Sequence, residues 1–497
     1  MNKHVKLDQQ ELETRPLTER EILTRDSFTP AEISVFVMIL MAFIASILAA
    51  EPRNLWSIGI YIILAPLSIA TVKLHEIVHP FKIENLWRSY ALLLLPAPCI
   101  ILQFTIGLIF PTIESLQIEQ EVYYVLTDTS QWLPATALSE AIKTTITFFG
   151  FISIFVICLN LYIIPKSLIF FKNLLSKLCL LAAFSAVVGF IYKALGNRLF
   201  FFSNGTEQSN FFAFFPYDGH WAAFACLWCG VSFAFSIEYL RGDDPTDFLQ
   251  SKGPWYLASA IILGFSGIFV KASGASAVLL LFLSWILLML ALELTRFTKD
   301  RHQKSLSMLS TLGSCCLFAV AIFRFTSPSP NTEEVAMLRE SSFRLFLERP
   351  LFGWGFESFP RVSAFFNNDA LLGTLNLSPH SDILNYLSEI GLFGCLIIIA
   401  YLITLILRYW YRKKASCFCN NMLLAIAAVL IIACIDNPFM SPTVTLSFFI
   451  IFFSALRFAA IEQNKSDQVD IEMPRLVSPA SERKVPFFTG QQNNKEI

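Results

Sequence analysis

The chain has 497 residues, 55% of them hydrophobic and 15% charged, and its 37 Lys and Arg against 38 Asp and Glu leave a net charge of −1. This composition, with a mean hydropathy of +0.58, excludes an ordinary soluble domain, and the lack of a basic excess argues against nucleic acid as a partner. Apolar runs of about 18–25 residues recur, each long enough to cross a hydrocarbon core of about 30 Å as a helix. The expected fold class is therefore an all-α polytopic membrane protein with the lipid bilayer as its solvent.

In chain order, a charged N-terminal tail (1–31) with no cleavable signal peptide precedes nine predicted transmembrane helices within 32–325. A large loop (326–383) separates helices 9 and 10, three more spans lie within 384–460, and a polar tail (461–497) is expected to be disordered. The twelve span cores fall at 32–50, 55–73, 90–110, 145–165, 173–192, 220–240, 255–270, 274–294, 307–325, 384–408, 421–436 and 442–460. With the N-terminus inside, the inner loops carry about fifteen Lys and Arg, among them Lys73, Lys166, Arg241, Arg301 and Arg412, against about five in the short outer loops. That bias makes both termini cytoplasmic and turns the 326–383 loop outward, which in a Gram-negative cell means the periplasm. The 49 Phe residues suit lipid-facing and helix-packing walls.

The eleven cysteines do not read as a disulfide framework. Nine sit in apolar runs as small hydrophobes, and Cys417 and Cys419 fall in a basic loop on the reducing side. His75-Glu76-Ile77-Val78-His79 has the zinc-protease spacing. Pro80 follows at once and no third ligand is in view, so this stretch reads as a basic loop and no metal site is expected.

The polar features gather on the outer side. Segment 111–143 carries Glu114, Glu119, Glu121 and Asp128 and reads as a surface loop; 193–220 holds Lys193, Arg198, Asp218 and His220; Asp436-Asn437-Pro438 makes the last outer turn. The longest polar interval, 339–394, contains Arg339, Arg344, Arg349 and Arg361. Guanidinium is suited to a diphosphate because it is charged at any pH and binds oxyanions with two parallel bonds. The spacing of five residues keeps Arg339, Arg344 and Arg349 off one helical stripe, and a solvated loop paired with Glu340 and Glu348 is the plainer alternative. His380 follows Pro379 and precedes Ser381 and Asp382, which can cap a new helix, so its imidazole sits at the mouth of a span and can act as a general base or simply meet water. Glu389 lies deeper in the same span, where a carboxylate is costly and is either structural or functional.

Three stretches together resemble the O-antigen ligase superfamily: Pro350-Leu351-Phe352-Gly353-Trp354-Gly355, then Pro379-His380-Ser381-Asp382-Ile383-Leu384, then Glu389-Ile390-Gly391-Leu392-Phe393-Gly394. Gly219-His220-Trp221-Ala222-Ala223 is similar to the segment that opens an earlier span in that family. The resemblance implies a metal-independent, inverting glycosyltransferase without cofactors. Its donor is an undecaprenyl-diphosphate-linked glycan and its acceptor lipid A–core or, in the related polymerases, a growing glycan. It implies that Arg339 and Arg344 neutralise the leaving diphosphate and that His380 activates the acceptor hydroxyl. Arg198, His220, Lys271, Arg361 and Glu389 are the remaining substrate-binding candidates. Where many members carry Ser-Arg-Gly, this chain has Lys271-Ala272-Ser273-Gly274, so a point charge replaces a guanidinium fork. A transporter of lipid-linked sugars is the remoter alternative; it predicts an internal repeat, and none is evident.

Overall fold

The computed structural model describes residues 28–48, 55–78, 86–118, 121–127, 132–136, 141–195, 212–241, 248, 250–270, 274–295, 301–327, 332–366, 378–411 and 416–472. The spanning helices are α1 (Pro30–Leu48), α2 (Leu55–Val78), α3 (Leu86–Leu94) with α4 (Pro96–Ile109), α5 (Ala141–Ile163), α6 (Leu168–Ala194), α7 (Asp218–Leu240), α8 (Gly253–Phe269), α9 (Gly274–Thr295) and α10 (Arg301–Thr326). Helix α11 (Thr332–Glu348) and the short α12 (Phe359–Val362) lie in the long loop, and α13 (Asp382–Trp410), α14 (Cys417–Ile435) and α15 (Pro442–Glu472) complete the bundle. Ten helices among the described residues are long and apolar enough to cross a membrane, or eleven if the pair α3–α4, bent by 45°, is one span. The expected twelfth is α8, apolar but only 17 residues long.

Helix α7 is the axis of the bundle. It is apolar on every side, and each residue from Asp218 to Ile237 is buried, as expected of a helix ringed by others. Its two indoles reach partners: Trp221 Nε1 donates to Ser266 Oγ at 2.8 Å and Trp228 Nε1 to Ser447 Oγ at 3.1 Å. Helix α1 opens on a capping box, with Glu32 Oε2 accepting from Thr29 N at 2.9 Å and Thr29 Oγ1 from Glu32 N at 3.2 Å.

Four sequence-based expectations change. Segment 111–143 includes an antiparallel hairpin, β1 (Ile113–Ile118) with β2 (Glu121–Leu126), paired Ile113 to Leu126 through Ile118 to Glu121. Helix α2 runs on through His75 and Glu76, with His75 buried, whereas His79 lies outside the described residues. Cys417 and Cys419 belong to α14 rather than to a loop. Helix α15 continues to Glu472, twelve residues into the tail expected to be disordered; the remainder of that tail lies outside the described residues.

A fifth change matters more. The apolar run 384–408 reads as one helix, but α13 is broken at Gly391, whose φ is +67°. A helix break leaves carbonyls and amides unpaired, which is costly away from water. Here the 350–355 turn fills the gap. Trp354 N and Gly355 N donate to Ser388 O and Glu389 O at 2.9 and 2.8 Å, and Leu392 N and Phe393 N donate to Pro350 O and Leu351 O at 2.8 and 3.0 Å. Gln103 Nε2, from α4, donates to Phe352 O at 3.1 Å and to the freed Ile390 O at 2.9 Å. One glycine of each motif is explained by this splice: a Cβ on Gly391 would lie 2.4 Å from Leu351 O, and one on Gly353 2.5 Å from Glu389 O. Gly391→Ala is therefore expected to destabilise by at least about 1–3 kcal/mol from the left-handed backbone alone. Thermal unfolding in detergent checks it, and an unchanged midpoint would contradict the splice.

Candidate functional site

Five segments meet at one end of the bundle: the first turn of α7, helix α11, residues 378–382, the end of α14 and the turn 436–440. Their backbones are stitched together. Asp382 N donates to Asp436 O at 3.1 Å, and Phe439 N to Asp382 Oδ2 at 2.8 Å. Asn437 Nδ2 donates to Ser378 Oγ at 2.7 Å, and His220 Nε2 to Asn437 O at 3.1 Å. Gly219 is required here, since a Cβ would fall 2.1 Å from Asp436 Oδ2. Ser381 is the cap of α13, its side chain accepting from Leu384 N.

His380 stands at the centre of this arrangement in a left-handed conformation, φ +46°. Its Nδ1 lies 3.3 Å from Tyr217 Oη and 3.7 Å from Asp436 Oδ1. Tyr217 donates its own proton to Asp436 Oδ1 at 2.8 Å. Burial pushes the Tyr217 phenol well above its ordinary pKa, and the Asp436 charge pushes it further, so it stays protonated. Its oxygen then has lone pairs to offer, and the tautomer that satisfies the contact carries the hydrogen on Nδ1. Nε2 is left as the nitrogen with a free lone pair, and the Asp436 carboxylate lies beside the other ring nitrogen.

Helix α11 carries Arg339 to this point. Leu338 and Leu345 are buried with Ile113, Trp354, Phe359 and Val362 in a small second core, and Ser342 Oγ donates to Leu384 O at 3.0 Å. With that face fixed, Arg339 Nη2 donates to His380 O at 3.0 Å and to Ile435 O at 2.9 Å. Its Nε–H is buried without a partner.

The other predicted residues separate from this centre. Arg344 turns to the exposed side of α11 and pairs with Glu340 at 2.6 Å, both more than half exposed. Arg349 is buried with its guanidinium 4.6 Å from the Trp354 ring centroid. Arg361 lies in α12, beside the second core. Glu389 is buried next to the splice and accepts from Phe359 N at 3.4 Å. His220 is buried, its Nε2 engaged with Asn437 O rather than open to a substrate. Arg198 and Lys271 lie outside the described residues. The sequence reading left Tyr217, Asp436 and Arg324 without roles. Asp436 carries a visible signal, an acid followed by Asn-Pro at the end of an apolar run. Tyr217 carries none. Among the described residues no group of three His, Cys, Asp or Glu side chains is arranged to hold a metal ion.

Residues 248–399, which include α11, the 350–355 turn and His380, match the family model described as O-antigen ligase. No curated protein matches the chain.

Proposed function

We propose that this chain, which belongs to the O-antigen ligase superfamily over residues 248–399, transfers a glycan from undecaprenyl diphosphate to lipid A–core on the periplasmic face of the inner membrane. The observation that carries the reading is the meeting of Arg339, His380 and Asp436 at one end of an apolar helix bundle. In the proposed step His380 Nε2 takes the proton of the acceptor hydroxyl as its oxygen attacks the anomeric carbon. The anomeric C–O bond to the diphosphate breaks from the opposite side, with inversion, and the released undecaprenyl diphosphate keeps the electron pair. Charge grows on the leaving oxygen as the bond breaks, so a fixed guanidinium favours the transition state over the ground state. Arg339 is the cation assigned to that task. Arg344 is assigned at most a peripheral contact with donor, because it is exposed and paired with Glu340. No metal or cofactor takes part in this scheme. The polyprenyl tail would lie along the Phe-rich, lipid-exposed walls.

The same chemistry serves a polymerase if the acceptor is a growing glycan, and the His380-Ser381-x-x-Leu384 and Pro350–Gly355 elements favour the ligase. The lipopolysaccharide profile of a deletion strain tests this. Loss of all polymer on core with lipid-linked polymer accumulating is the expected result. A single capped repeat unit would instead mean polymerase, and an unchanged profile would overturn both.

A further inference from the structure

A second guanidinium stands near the same end of the bundle, and the mechanism above does not use it. Arg324 lies in the last turn of α10, a helix that is largely lipid-exposed, where a cation is expensive without partners. Its side chain crosses to two other helices. Nη1 donates to Gly267 O, and Nη2 to Ile268 O at 2.6 Å, so it takes up two of the unpaired carbonyls that end α8. Nη1 also lies 3.3 Å from Ser276 Oγ, in the first turn of α9. One side chain thus pins both ends of the 270–274 connector.

That connector leads back to Arg339. Gly274, at the start of α9, packs so closely on Ile435 that a Cβ would lie 2.9 Å from its Cδ1. The Ile435 carbonyl is one of the two acceptors that hold Arg339 Nη2. On the other flank Trp221 of α7 bonds Ser266, one residue before the clamped carbonyls, and Asp218 lies within electrostatic range of Arg324. The order of contacts is Arg324, the α8–α9 junction, Ile435, Arg339.

We propose that Arg324 is a positioning residue for the transfer step: by clamping the end of α8 to the start of α9 it fixes Ile435, and through Ile435 the guanidinium of Arg339 against the leaving diphosphate. This rests on the glycan-transfer reading. Lysine in its place keeps one charge but cannot span two carbonyls and a hydroxyl with a planar fork.

The test is steady-state transfer by the purified full chain with an undecaprenyl-diphosphate-linked glycan, comparing Arg324→Gln and Arg324→Lys. kcat is expected to fall about tenfold in Arg324→Gln, with donor KM within about threefold and little rescue by Lys. Arg324→Gln combined with Arg339→Lys should lose less than the product of the separate losses, because both act on one contact chain. A purely structural cap would lower the yield of folded protein and leave kcat of the folded fraction unchanged, and that result would overturn the proposal. If Arg324→Gln does not fold, Ser276→Ala removes the hydroxyl that Arg324 meets on α9. A kcat lowered about threefold would then support the clamp, and an unchanged one would overturn it. Wild-type protein inactive on every such donor would sink the glycan-transfer reading itself. An active wild type with unchanged kcat in the variants would sink the role of Arg324 alone.

Discussion

Replacing His380 by alanine is expected to lower transfer by about 10²–10⁴-fold, the usual contribution of a general base. The protein should still reach the membrane. The expectation follows from which nitrogen is free. Tyr217 and Asp436 face Nδ1 at 3.3 and 3.7 Å, so a proton from the acceptor has only Nε2 to go to. The neighbouring His220 cannot take over, since it is buried away from a substrate and donates from Nε2 to Asn437 O. Alanine brings a second effect, because it must adopt the left-handed backbone of His380, at a cost of about 1–2 kcal/mol. Asparagine tolerates that conformation and lacks a base. His380→Asn therefore separates the two contributions. Both variants inactive, with a well-folded Asn form, would assign the loss to the imidazole. An active Asn variant beside an inactive Ala variant would make His380 a backbone element, and undiminished transfer in both would remove it from the mechanism.

The bundle was legible from apolar run length, because a bilayer imposes that length whatever the side chains do. Interruptions were not. The run from Ile383 to Leu407 contains Gly391, yet nothing in hydropathy distinguishes a glycine inside a helix from one at which a helix breaks and accepts a loop. The splice is visible only when the 350–355 turn is set against it, some 40 residues away in sequence. The hairpin β1–β2 was obscured for a related reason. Its acidic residues suggest a loop, while Val122-Tyr123-Tyr124-Val125 carries the competing β-forming signal. At the site, Arg339 and His380 were identified and do meet. Asp436 is marked by its place before Asn-Pro, but its pairing with Tyr217 is not, because that contact spans 219 positions and no periodicity encodes it. Arg344 was separated from Arg339 by helical geometry, as a spacing of five already implied.

Arg339→Ala should be the most damaging single change in the loop, with kcat down by about 10³-fold, and Arg339→Lys should recover about tenfold of that. Two functions coincide in this side chain. One Nη2 group spends its hydrogens on His380 O and Ile435 O, which holds the strained His380 turn to the end of α14. The remaining donors, including the buried unpartnered Nε–H, carry the charge available to a leaving diphosphate. Lysine restores charge within reach of the diphosphate, but its compact ammonium cannot hold two carbonyls in one plane and face an oxyanion as well. The loss should fall on kcat rather than on donor KM, since the charge it meets develops as the anomeric bond breaks. Full recovery with lysine would reduce Arg339 to a point charge and make the two-carbonyl tether incidental. A loss confined to donor KM would move it from the transition state to ground-state binding. Arg344→Ala supplies the internal contrast: exposed and paired only with Glu340, it should cost less than about threefold, as exposed ion pairs generally do.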